Sequence, residues 1–85
     1  MFLHPNAVKA LKKIDSVYYA RIKKALEELE DEPERAGKAL RYSDFFSLRI
    51  GDYRVIYKIN KAKCQVVVLL VGHGKNVYDD FTKLF

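Results

Sequence analysis

The chain has 85 residues, 49% of them hydrophobic and 32% charged, a balance that excludes disordered and collagen-like classes and predicts one packed domain over residues 1–85. Its net charge of +5 is uneven: residues 1–40 carry eight basic and seven acidic side chains, residues 41–85 eight basic and four acidic, so the positive field belongs to the second half and suits a polyanionic partner. The lone Cys64 excludes an internal disulfide, and neither a charged leader nor a run near the roughly 18 apolar residues of a membrane span is present, which predicts a soluble, cytoplasmic protein with no membrane partner.

A short apolar start, "MFLH", leads to Pro5, whose fixed φ and missing N–H suit a first helical position. "PNAVKALKKID" places Ala7, Leu11 and Ile14 at helical spacing with Val8 beside them and lysines elsewhere, predicting an amphipathic helix. Ser16 is the expected cap of a second helix, in which Tyr18, Ile22, Ala25, Leu26 and Leu29 keep the period until Pro33. The tight connection predicts a two-helix hairpin. The acidic run "EELEDEPER" reads as a solvated helix end, and "AGKALRYSD" as a connector anchored by Leu40.

From Phe45 the period changes to two, predicting strands over Phe45–Ile50, Tyr53–Asn60 and Gln65–Val71, joined by hairpins at Gly51-Asp52 and "NKAK". Alternation puts Leu48 and Ile50 on one face and Arg49 on the other; likewise Tyr53, Val55, Tyr57 and Ile59 oppose Arg54, Ile56 and Lys58. If the more apolar faces meet the core, both arginines stand on the open side of the sheet. "CQVVVLLVG" is apolar on both faces, as a central strand would be, with Cys64 a core or edge thiol at its start. "NVYDDFTKLF" spaces Val77, Phe81 and Leu84 for a short last helix. Together the elements predict an α+β fold, a two-helix hairpin packed on one face of a small antiparallel sheet.

Neither His4 nor His73 has neighbours at metal-ligand spacing, and the chain contains no GxGxxG, Walker or GxSxG motif, so no metal or cofactor is expected. What remains is Arg49, Arg54, His73, Lys75 and Tyr78, on the sheet or on "VGHGKNVY" where its last strand ends. Arginine forks match phosphate oxygens, and a tyrosine stacks on a base or exchanges a proton. RNA carries its own nucleophile, the 2′-hydroxyl, so metal-free cleavage needs only its alignment, charge stabilisation at phosphate and help for the leaving oxygen. An arginine on an open sheet face is more often a solvated residue than a catalyst, and Tyr53 and Tyr57 read as core aromatics.

The order "HPNAVKALKKI", "RIKKALEEL", "LRIGDYRVIYKI", "VVVLLVGHG" and "NVY" resembles the RelE/ParE toxin superfamily of toxin–antitoxin systems, most closely its RelE branch, over about His4 to Tyr78. The resemblance implies a RelE-like fold and a ribosome-dependent endoribonuclease that enters the A site and cuts mRNA by 2′-hydroxyl attack, leaving a 2′,3′-cyclic phosphate without a metal. By motif position it implies catalytic roles for Arg54 of "YR", for Arg49 on the preceding strand and for Tyr78 of "VY"; beside them Lys75, His73, Lys58 and Arg41 are the expected RNA-binding residues. It also implies a RelB-like antitoxin partner in a hetero-oligomer, alongside the 70S-type ribosome and its mRNA. RelE proteins commonly read "VGHR" or "VGKR" where this chain has "VGHG", so Gly74 stands in an arginine's place, and Ser47 where some members carry a basic residue. Two other readings stay open at this point: a ParE-like inhibitor of DNA gyrase, and a toxin-fold partner or co-repressor with little activity toward RNA.

Overall fold

A computed structural model of the chain describes residues 1–40, 44–74 and 77. The short start forms strand β1 (Phe2–Leu3), and helix α1 follows over Pro5–Lys13. Pro5 occupies the first turn as the sequence predicts, and His4 caps it: the Asn6 N–H donates to His4 Nδ1 at 3.1 Å. Helix α2 runs over Ser16–Asp31, but its cap is Asp15 rather than Ser16. The Asp15 carboxylate accepts the Val17 and Tyr18 N–H groups at 3.0 and 3.1 Å, the better solution because a charged oxygen also meets the positive end of the helix dipole.

The segment expected to be a plain connector carries two further elements, helix α3 (Pro33–Ala36) and strand β2 (Lys38–Ala39). Strands β3 (Phe45–Ile50) and β4 (Tyr53–Asn60) match the predicted bounds, and β5 (Gln65–His73) runs two residues past its predicted end. The predicted C-terminal helix lies outside the described residues, apart from Val77.

The sheet has the order β1-β5-β4-β3-β2. All neighbouring pairs are antiparallel except β1 and β5, which run parallel with Leu3 beside Val68, so the sheet is mixed rather than antiparallel. The cause is at the start of the chain: β1 precedes His4 and leads directly into α1 with no hairpin turn to reverse it, so Phe2 and Leu3 lie along β5 in its own direction, held by the His4 N–H to Val68 O bond of 2.8 Å.

Both helices cover one face. Ala7 of α1 and Ile22, Leu26 and Leu29 of α2 pack on Val55, Tyr57, Val66, Val68 and Val71 of the sheet. Ile22 and Leu29 are fully buried, each worth roughly 1.5–3 kcal/mol relative to exposure. The opposite face is not bare: Ile56, Leu69, Leu70 and Val77 form a second small cluster, with Leu40 packed against it as the predicted anchor.

Two turns control what faces where. Between β3 and β4, Gly51 takes φ +59 and Asp52 does not turn positive, the pattern of a type II′ hairpin, which matches strand twist. Between β4 and β5 the register slips at Ile56/Tyr57, so that Ile56 faces Leu70 while Tyr57 faces Val68 and Leu69 is the extra residue. This bulge resets the alternation of "VVVLLV". Leu69 and Leu70 both join the second cluster, and Val71 returns to the helix side. Cys64 is neither core nor strand edge: it is exposed in the preceding turn at φ +49, with its N–H donated to Lys61 O at 3.3 Å.

Candidate nucleic-acid interface

The two-residue hairpin sets Arg49 directly opposite Arg54, and on the next strand Arg54 stands opposite Gly72. Residues paired in this way share a face with Cβ atoms about 4.5–5.5 Å apart, and like charges so placed destabilise a sheet. The chain tolerates that cost on the face away from the helices, as alternation predicted. Arg49 is exposed and its Nε donates to Gly51 O at 3.2 Å, which steadies it at the rim of the turn. Arg54 is half-buried, and Gly72 beside it offers no side chain to crowd the guanidinium.

Gly74 completes this corner. Its N–H donates to Asp52 O at 2.8 Å, which holds the end of β5 against the turn. A Cβ added at Gly74 would stand 3.6 Å from Arg54 Nε and 3.4 Å from Asp52 O, ordinary contacts that leave room for a side chain.

A cleft of about 610 Å³ opens between the segment 35–40 and β3, with Arg35, Lys38, Arg49 and Arg54 among its walls and, among the described residues, no Asp or Glu. Its far wall is pinned from below. The Tyr57 hydroxyl donates to Pro33 O at 2.7 Å, and Gly37 comes so close that a Cβ there would stand 2.7 Å from both Ser47 O and the Tyr57 hydroxyl. Burial pushes the Tyr57 hydroxyl above its ordinary pKa, an effect partly offset by the hydrogen bond it makes with the Gly37 backbone.

The other expected RNA-binding residues are placed differently. His73 pairs with Tyr53, ring to ring at 5.8 Å, on the helix side of the sheet, where Tyr53 also meets Tyr18 at 4.8 Å. The bulge at Leu69 is the reason, because it shifts every later residue of β5 by one face. Lys58 lines a separate cleft of about 730 Å³ with Lys61, Glu34 and Asp44, so that among the described residues two carboxylates offset its two lysines. Arg41, Lys75 and Tyr78 lie outside the described residues. Lys38 and Arg35 were not singled out in the sequence; the only hint was that Lys38 stands two residues before the anchor Leu40, in step with a strand. Among the described residues no three His, Cys, Asp or Glu side chains gather as a metal would require, and no helix is long and apolar enough to cross a membrane.

Comparison with known proteins agrees with this architecture. The family described as the ParE toxin of type II toxin–antitoxin systems, parDE, matches residues 1–78. Toxin RelG of Mycobacterium tuberculosis is 41% identical over 56 residues, a segment spanning 64% of this chain and 64% of that protein. Among solved structures, the toxin–antitoxin complex RelBE2 of M. tuberculosis superposes with a TM-score of 0.77 at 35% identity, covering 84% of this chain and 91% of that one. The isolated E. coli RelE toxin superposes with a TM-score of 0.78 at 25% identity, covering 98% and 94%. The intact E. coli RelBE complex gives 0.77 at 26% identity, covering 86% and 93%. With its helix-covered five-stranded sheet and a family match over nearly its whole length, the chain is a type II toxin–antitoxin toxin of the RelE/ParE superfamily.

Proposed function

We propose that this toxin is a metal-independent endoribonuclease that enters the ribosomal A site and cuts mRNA within the codon held there. The observation that carries the reading is the cross-strand Arg49–Arg54 pair on a cleft whose described walls carry Arg35 and Lys38 as well. Two like charges set opposite each other weaken the sheet, and an anion between them reverses the sign of that contribution. A phosphodiester is such an anion.

The nucleophile comes from the RNA itself. The 2′-hydroxyl oxygen attacks the adjacent phosphorus and loses its proton, the bond from phosphorus to the 5′-oxygen breaks, and that oxygen takes up a proton. The products are a 2′,3′-cyclic phosphate and a 5′-hydroxyl. Arg54, half-buried beside Gly72, offers its fork to the non-bridging oxygens as charge builds there, and Arg49 neutralises the same phosphate from the rim. Tyr78 is assigned to the substrate, stacking on its base or handling a proton, and Lys75 to its backbone. The ribosome fixes the message in line for attack, a contribution of orientation that an exposed cleft does not make alone.

A RelB-like antitoxin is the partner this reading requires. Solved relatives that superpose on this chain are RelB–RelE-type complexes, and a basic cleft flanked by an apolar cluster suits a segment that covers it. A second reading, inhibition of DNA gyrase in the manner of ParE toxins, draws support from the ParE family match and from Gly74, which puts no cation beside Arg54.

The two separate in one pair of assays. Primer extension on ribosome-bound mRNA with a defined A-site codon should show a cut that disappears without ribosomes, while gyrase supercoiling of plasmid DNA proceeds unchanged. Intact mRNA together with blocked supercoiling would replace the first reading by the second.

A further inference from the structure

We propose that Lys38 holds a second RNA phosphate, one nucleotide along the strand from the phosphate gripped by Arg49 and Arg54; this rests on the nuclease reading and adds a residue to it. Three observations place Lys38 there. It pairs with Ser47 across β2 and β3, and Ser47 lies two residues from Arg49 on the same strand face. Diagonal neighbours of this kind stand roughly 7–8 Å apart, the scale on which successive phosphates follow one another along an extended strand.

The second observation is the shape of the row. Opposite Lys38 the sheet presents Ser47, a small side chain buried at 7% exposure, and then Ile56 and Leu70. Within the paired strands no long polar side chain stands between the lysine and the arginines. Lys38 itself is exposed and lines the same cleft as Arg49 and Arg54, whose described walls hold no carboxylate.

The third is rigidity. Lys38 follows Gly37, which is pressed against Ser47 O and the Tyr57 hydroxyl, and Tyr57 in turn ties β4 to Pro33. The backbone that carries the lysine is therefore held in register from two sides, so no backbone ordering is added to the side-chain cost when the lysine takes an anion. Arg35, on the same wall, is already shared with Glu32, Nη1 to Oε2 at 3.8 Å, whereas Lys38 forms no ion pair among the described residues. The lysine is thus the better placed of the two to attract a new anion.

A lysine that neutralises one phosphate of a single strand steepens the salt dependence of binding by about 0.7 in the slope of log K against log salt. The probe is a short fluorescent single-stranded RNA whose 2′-deoxy substitution at one nucleotide blocks cleavage there. Its affinity is measured across a salt series for the wild type, Lys38→Ala, Lys38→Arg and the helix-surface variant Lys12→Ala. The expected result is a slope shallower by about 0.7 for Lys38→Ala alone, with Lys38→Arg restored to the wild-type slope. On programmed ribosomes Lys38→Ala should raise KM and leave kcat in place, as loss of uniform binding does. Equal slopes for wild type and Lys38→Ala, or a wild type that cuts on the ribosome but does not bind the probe, would overturn the role of Lys38 while the nuclease reading stands. A wild type that neither binds nor cuts would remove the nuclease reading and this role with it.

Discussion

Replacing Gly74 by arginine should make the toxin faster and slightly less stable, and both magnitudes follow from the corner it occupies. The new Cβ would meet Asp52 O at 3.4 Å and Arg54 Nε at 3.6 Å, so packing neither gains nor loses much. Charge is the cost. A third guanidinium roughly 5–6 Å from Arg54 on a wet surface adds on the order of 1 kcal/mol of repulsion, less in salt. That corresponds to a melting temperature lower by about 4–8 °C in a domain of this size. The gain lies in the transition state: one added donor aimed at developing phosphate charge is worth about 10²–10³ in rate. Single-turnover cleavage on programmed ribosomes and thermal melting by circular dichroism read the two effects separately. Gly74→Ala, which adds the Cβ without the fork, serves as the control and should change neither. A folded Gly74→Arg protein that cuts no faster than wild type would refute the claim that a missing cation at this corner limits the rate.

The wall of the cleft yields two stability predictions. Tyr57→Phe removes the hydroxyl that donates to Pro33 O and bonds the Gly37 backbone, leaving buried polar groups without a partner, and should cost about 1–3 kcal/mol by urea denaturation. The same hydroxyl sets an alkaline response: its folded pKa lies above the unfolded value near 10, so the folded state keeps the proton longer and stability falls as pH rises beyond about 10, a decline that Tyr57→Phe should flatten. Gly37→Ala forces a methyl to 2.7 Å from the Ser47 carbonyl, a backbone atom that cannot swing aside, and should cost about 1–3 kcal/mol. A Gly37→Ala protein that melts with the wild type would show that β2 is not held as closely as described.

Much of the site was legible because it depends on strand period and turn chemistry. A two-residue Gly51-Asp52 turn leaves one register for the hairpin, and that register puts Arg49 opposite Arg54 on the face alternation assigned to them. The bounds of β3 and β4 followed from the same period. Less legible was anything decided by contacts distant in sequence. "VVVLLV" is apolar at every position, so nothing in it marks the bulge that turns His73 toward Tyr53 and away from the arginines. The two-residue strand β2 is too short for a period and exists because Gly37 lets the chain approach Ser47. Without β2, Lys38 read as part of a connector. The parallel pairing of β1 was hidden for the same reason, since two residues carry no pattern of their own. Asp15 and Ser16 are both good caps, and only the helix start at Ser16 decides between them.

The account rests on Arg54 acting on RNA at the ribosome. Its most direct test is primer extension on mRNA held in programmed ribosomes, comparing wild type with Arg54→Ala, each checked for folding by its melting curve. The prediction is a cut within the A-site codon by the wild type, with a 2′,3′-cyclic phosphate at the new end, and none by an Arg54→Ala protein that melts within a few degrees of it. Undiminished cleavage by folded Arg54→Ala would contradict the account.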